Sequence, residues 1–96
     1  VTIRIHDKPG AFGGLPAECA IDAARFAVMP IPYDGTSTWL KGADRGPQAI
    51  LDASANMELY DIQTDSEPWL AGIVTLAPIA GHDSPEAMAA AVRTTT

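Results

Sequence analysis

Two apolar runs, residues 25–31 (RFAVMPI) and 72–76 (GIVTL), restrict this chain more than any other feature. Each is followed by proline, and one helix-patterned segment lies between them. Near-continuous apolar character over a short run suits a strand covered on both faces, as in a parallel sheet. Pro30 and Pro32 end the first run and Pro78 stops the second, because proline has no N–H for the ladder. Two strands joined through a helix pair in parallel. The fold class is α/β.

The segment between the runs carries its own signals. Residues 33–45 make a loop of 13 residues, and loops of that length are commonly functional or interface-forming. Its place after a strand is where α/β folds bind ligands. Gly46-Pro47 opens a helix, with proline at the first position, where its missing N–H costs nothing. Ile50, Ala53, Ser54 and Met57 recur at helical spacing and predict one packing face, widened by Leu51. The helix is expected to fade over residues 56–60, and residues 61–69 to form a polar connection. Ser84-Pro85-Glu86 signals a second helix: Ser84 caps, Pro85 takes the first position, and Glu86 favours the positive end of the dipole. Ala87, Met88, Ala91 and Val92 follow with helical spacing.

Residues 1–24 read as an arm and residues 25–96 as the α/β segment. Residues 1–5 alternate apolar and polar, as an edge strand or an extended arm does. Pro9, Gly10, Gly13, Gly14 and Pro16 leave no room for regular structure after it. The order arm, β, loop, α, β, α brings the last helix to no third strand. Parallel sheets need several strands and two covered faces. The expectation is therefore an incomplete α/β domain, and Val1 in place of Met fits a chain that begins inside something longer.

Composition narrows the function classes. An apolar content of 47% excludes disorder over most of the length. Six basic against twelve acidic residues, a net charge of −6, argue against nucleic acid or an anionic membrane surface as partner. No apolar run approaches the roughly 20 residues of a membrane span. Cys19 is the single cysteine, so no disulfide forms within the chain, which favours a reducing, cytoplasmic setting. Neither Cys19 nor His6 stands in a nucleophile or ligand pattern. The stretch DGTSTWLKG fails as a phosphate loop, because Lys41 precedes Gly42 and no Ser or Thr follows directly.

The sequence Pro32-Tyr33-Asp34-Gly35-Thr36-Ser37-Thr38, then Gly42, Gly46-Pro47, Ala49-Ile50-Leu51 and Glu58-Leu59-Tyr60-Asp61, resembles the N-terminal third of the agmatinases of the arginase/agmatinase (ureohydrolase) family. Ser66-Glu67-Pro68-Trp69 and residues 71–76 resemble one agmatinase subgroup. The match runs in order from Arg25 to Val92. Asp44 departs from it, since these proteins commonly carry a basic residue there, which would alter a loop salt bridge or a subunit contact.

The resemblance implies a three-layer α/β/α arginase-like fold with a mainly parallel sheet, incomplete in this chain. It implies two bridged manganese ions that lower the pKa of water, so that a hydroxide attacks a guanidinium carbon and releases urea. It also implies a small guanidino substrate such as agmatine, and a trimeric or hexameric homo-oligomer. The family's ligands lie in a Gly-Gly-Asp-His-Ser type motif and two Asp-rich motifs, all expected beyond residue 96. Gly81-His82-Asp83-Ser84 has similar residue types in the wrong order and reads as a helix cap, so no metal ligand and no catalytic residue is assigned here. Asp34, Thr36, Thr38 and Trp39 are candidates for the rim of the substrate cleft or for a subunit contact. The alternative is that Gly35 and Gly42 permit turns while Tyr33 and Trp39 pack on the core. The expected function is the N-terminal fragment of an agmatinase-like, manganese-dependent hydrolase, inactive on its own. A non-catalytic α/β interaction module derived from such an enzyme is the alternative.

Overall fold

The computed structural model describes residues 11–15, 22–79 and 83–96. Among them the order is β1 (Phe26–Val28), α1 (Gly46–Ser54), β2 (Ile73–Thr75) and α2 (Pro85–Thr95). Short 3-10 turns occur at Phe12–Gly14, Ala43–Arg45 and Pro68–Ala71. The strand reading of residues 1–5, and the readings of His6, Cys19 and His82, fall outside the described residues.

β1 and β2 pair in parallel, with Phe26 opposite Ile73, Ala27 opposite Val74 and Val28 opposite Thr75. This is the β-α-β arrangement expected from the two apolar runs. The strands are shorter than those runs, yet the pairing continues past them through carbonyl groups. The Leu76 N–H donates to the Val28 carbonyl at 2.8 Å, and the Ile79 N–H to the Pro30 carbonyl at 3.1 Å. Proline lacks a donor but keeps its acceptor, so Pro30 ends the strand on one side only.

The expectation of a first strand covered on both faces is corrected. Phe26 is 58% exposed, and Ala27 is also open to solvent. β2 is the covered strand, with Val74 and Thr75 buried. Among the described residues, the buried core comprises Ala11, Leu51, Val74, Leu76, Ile79 and Met88.

α1 starts where Gly46-Pro47 predicts, but its packing face is rotated from the expected one. Leu51 and Ser54 are buried, whereas Ile50 is 63% and Met57 48% exposed. The two apolar stripes are neighbours on the helix, and periodicity alone does not choose between them. The arm chooses. Ser54 Oγ accepts the Gly13 N–H at 2.8 Å and donates to the Leu51 carbonyl at 2.6 Å. Beside it, the Phe12 N–H donates to Thr75 Oγ1 at 2.9 Å. These hydroxyls anchor the Phe12–Gly14 turn onto α1 and β2, and Gly13 takes φ +73°, which suits glycine.

Residues 61–66 form the expected polar connection, closed by reciprocal backbone bonds between Asp61 and Ser66 at 2.8 and 3.2 Å. The Asp61 carboxylate accepts the Gln63 N–H and the Thr64 hydroxyl, a side chain organising its own turn. α2 begins as its signals predict. Ser84 Oγ accepts the Ala87 N–H at 3.1 Å, Pro85 is the first helical residue, and Met88 is buried.

Candidate functional site

The loop at the C-terminal end of β1 is held shut at its base. Asp34 Oδ2 accepts the Gly42 N–H at 2.5 Å, joining residues eight apart. Lys41 Nζ reaches back to donate to the Asp34 carbonyl at 2.9 Å and the Ser37 carbonyl at 3.1 Å. A third bond, from the Ser37 N–H to the Asp34 carbonyl, tightens the first turn. Gly42 sits at φ +127°, a conformation L side chains rarely adopt. A Cβ at Gly35 would lie 2.6 Å from Tyr33 Cζ, so a side chain there would displace the tyrosine ring that folds over the loop.

Charge follows from this geometry. The Gly42 N–H, and after it the Ser37 hydroxyl, hold the Asp34 carboxyl below the ordinary value of 3.8, so it is ionised at neutral pH. Its second oxygen, Oδ1, and the Tyr33 hydroxyl are shielded from solvent without a partner among the described residues. Shielded acceptors and hydroxyls of this kind usually have a partner in a native protein.

Of the four residues singled out in the sequence, Asp34 lies at the base of the loop and the other three on its span. Thr36 and Thr38 are exposed, and Trp39 is 89% exposed, followed by Leu40 at 75%. Trp39 therefore does not pack on the core, which corrects that part of the alternative reading. Tyr33 is half-buried against Gly35, and the turn role of Gly42 stands. The clamp formed by Lys41 and Gly42 was not foreseen. Its signal was present in Asp34-Gly35 and Lys41-Gly42 bracketing the loop, a pair considered only as a failed phosphate motif.

The chemistry available here is positioning. Asp34 is committed through Oδ2 to the backbone, and the described loop residues form no nucleophile and base pair. No group of three or more His, Cys, Asp or Glu side chains able to hold a metal ion occurs among the described residues. The donor set for a two-metal centre is thus not supplied by them, and no catalytic step is drawn through a metal in this chain. Among the described residues no helix is long and apolar enough to cross a membrane.

Known proteins resemble this chain over most of its length. The chain is 40% identical over 67 residues to an N(1)-aminopropylagmatine ureohydrolase of Synechocystis, covering 69% of this chain and 22% of that protein. A protein of the same name from Thermus thermophilus is 40% identical over 58 residues, 60% of this chain and 20% of its own length. One from Thermococcus kodakarensis is 36% identical over 63 residues, covering 62% and 22%. The chain spans about a fifth of the length of the curated relatives it matches. No solved structure gives a significant match. The arginase family model matches residues 24–96, from the start of β1 through α2, and the chain belongs to the arginase family.

Proposed function

We propose that this chain is the N-terminal portion of a ureohydrolase that cleaves a linear guanidino compound, agmatine or N(1)-aminopropylagmatine, to an amine and urea. The observation that carries the proposal is the identity, 36–40% in partial alignments, to proteins named as N(1)-aminopropylagmatine ureohydrolases. The shared span includes the loop after β1, the position where a parallel sheet presents loops to a ligand. In this reading Asp34 and Lys41 keep the loop closed, and Thr36, Thr38 and Trp39 border the cleft or meet a neighbouring subunit of a trimer or hexamer.

Two manganese ions, held by residues outside the described set, would supply the hydroxide. The described residues would contribute architecture alone. The intact enzyme would act in the cytoplasm on a small cationic substrate.

The test is urea release from agmatine and from N(1)-aminopropylagmatine by the intact protein that contains this sequence, reconstituted with manganese. Release from at least one substrate by the intact protein, and none by the 96-residue chain, is the expected result. Absence of urea from both substrates with the manganese-loaded intact protein would overturn the assignment.

A further inference from the structure

We infer that the bond between Asp34 and Gly35 is a site of spontaneous backbone rearrangement to isoaspartate, and that the clasp at the base of the loop is the device that retards it. Nowhere else in the sequence is an Asp or Asn followed by glycine. The rearrangement begins when the backbone nitrogen of the following residue attacks the side-chain carboxyl carbon, and glycine puts no side chain in its way. Gly35 is exposed, so water, the other reactant, reaches it. In the first step the Gly35 nitrogen gives up its proton and bonds to Asp34 Cγ, and one carboxyl oxygen leaves as water, closing a five-membered succinimide. Water then opens the ring. Addition at Cγ restores aspartate, whereas addition at the former backbone carbonyl leaves the chain running through Cγ. One water leaves and one enters, so mass and oxidation level are unchanged.

The clasp opposes the first step through both torsions that close the ring. The side chain must turn about Cα–Cβ, and the peptide between residues 34 and 35 about Cα–C, until nitrogen and Cγ pass from van der Waals to bonding distance. The bond from the Gly42 N–H to Asp34 Oδ2 resists the first rotation. The second is resisted at the Asp34 carbonyl, which accepts Lys41 Nζ at 2.9 Å and the Ser37 N–H at 3.4 Å. The Tyr33 ring, folded over Gly35, crowds the same peptide. Charge acts in the same direction, since a carboxyl oxygen departs as water only after protonation and the Gly42 N–H, with the Ser37 hydroxyl, holds this group ionised at neutral pH. An unfolded chain keeps the reactive pair and loses every one of these restraints. Rearrangement adds a methylene to the backbone and moves the carboxylate, so the bond to Gly42 is not re-formed and the span carrying Trp39 and Leu40 is no longer tied at its base.

All of this is chemistry of the loop itself and holds whatever reaction the intact protein catalyses. The test ages the intact protein that contains this sequence at neutral pH and maps its peptides, because isoaspartate changes retention without changing mass. The parent is aged folded and in guanidinium chloride, and Lys41→Met is aged folded. Isoaspartate at residue 34 should form at least about tenfold faster in the denaturant than in the folded parent. Lys41→Met keeps the side-chain stem but loses the bonds to the Asp34 and Ser37 carbonyls, and should raise the folded rate about fivefold. Asp65-Ser66, an Asp with a small neighbour outside the loop, should be unaffected by that variant. No isoaspartate at residue 34 in the denaturant would show that the bond is not a site. Equal rates in the folded and unfolded parent, an unaltered rate in Lys41→Met, or equal acceleration at Asp65 would each remove the clasp as the protecting device. The comparison of folded with unfolded parent needs no variant and decides the matter even if Lys41→Met fails to fold.

Discussion

Ser54 and Thr75 place hydroxyls where the pattern of their elements calls for apolar groups. Both are 4% exposed, and each receives one backbone N–H from the Phe12–Gly14 turn. Removing a hydroxyl leaves a buried donor unpaired, which costs about 1–3 kcal/mol. Ser54→Ala and Thr75→Val are each expected to lower the unfolding free energy by that amount in urea denaturation. The two bonds hold adjacent residues of one short segment, so losing the first loosens the second. The double variant should therefore lose less than the sum by at least about 0.5 kcal/mol. Full additivity would show that the two bonds act separately. These anchors were hidden in the sequence for a physical reason: the partner of Ser54 lies 41 residues away and that of Thr75 lies 63 away. A serine on a helix face is visible locally, but the donor that makes it an anchor is not.

The elements differ in how much of them was legible, and the difference follows the range of the forces involved. The start of α2 was readable because cap and first turn lie within four residues, and the Ser84 bond to the Ala87 N–H realises that signal. The β-α-β order was readable because apolar runs and prolines are local. The buried face of α1 was not, since Ile50 and Leu51 offered adjacent stripes and distant contacts selected Leu51. The closed loop after β1 is an intermediate case, with its residue types in view and its Asp34 to Gly42 clasp concealed.

That clasp makes the loop sensitive to acid. Its folded carboxyl titrates below 3.8, so between the folded and unfolded values the unfolded chain binds more protons. The contribution of Asp34 is complete above pH 3.8 and is lost as pH falls through the lower, folded value. Asp34→Asn keeps an acceptor for the Gly42 N–H without the charge. The variant is expected to be less stable than the parent above pH 3.8, and the two unfolding curves should converge as pH is lowered. The Asp61 carboxyl, also held low by its turn, titrates in both proteins and cancels from the comparison. A stability difference that stays constant across that range would remove the charge from the explanation.

At the scale of the whole molecule, the unequal cover of the two strands sets the behaviour in solution. β2 is covered by the Phe12–Gly14 turn and its neighbours, while β1 leaves Phe26 58% exposed in the only described sheet. Ile50, Leu40, Leu70 and Trp39 add further exposed apolar surface. A strand with an apolar face open to water is a site of association. The 96-residue chain is expected to self-associate with rising concentration in light scattering behind size exclusion, and to bind an apolar dye. Phe26→Thr introduces a β-branched residue suited to a strand and removes the exposed ring, and the ladder bond of residue 26 is made by its backbone. That variant should shift association to severalfold higher concentration without lowering the cooperativity of its melt. Association unchanged by Phe26→Thr would move the contact elsewhere, to the Trp39-Leu40 span of the loop. A chain that stays monomeric at all concentrations would mean that the uncovered strand is tolerated in water, and the α/β segment would then stand as a self-sufficient unit.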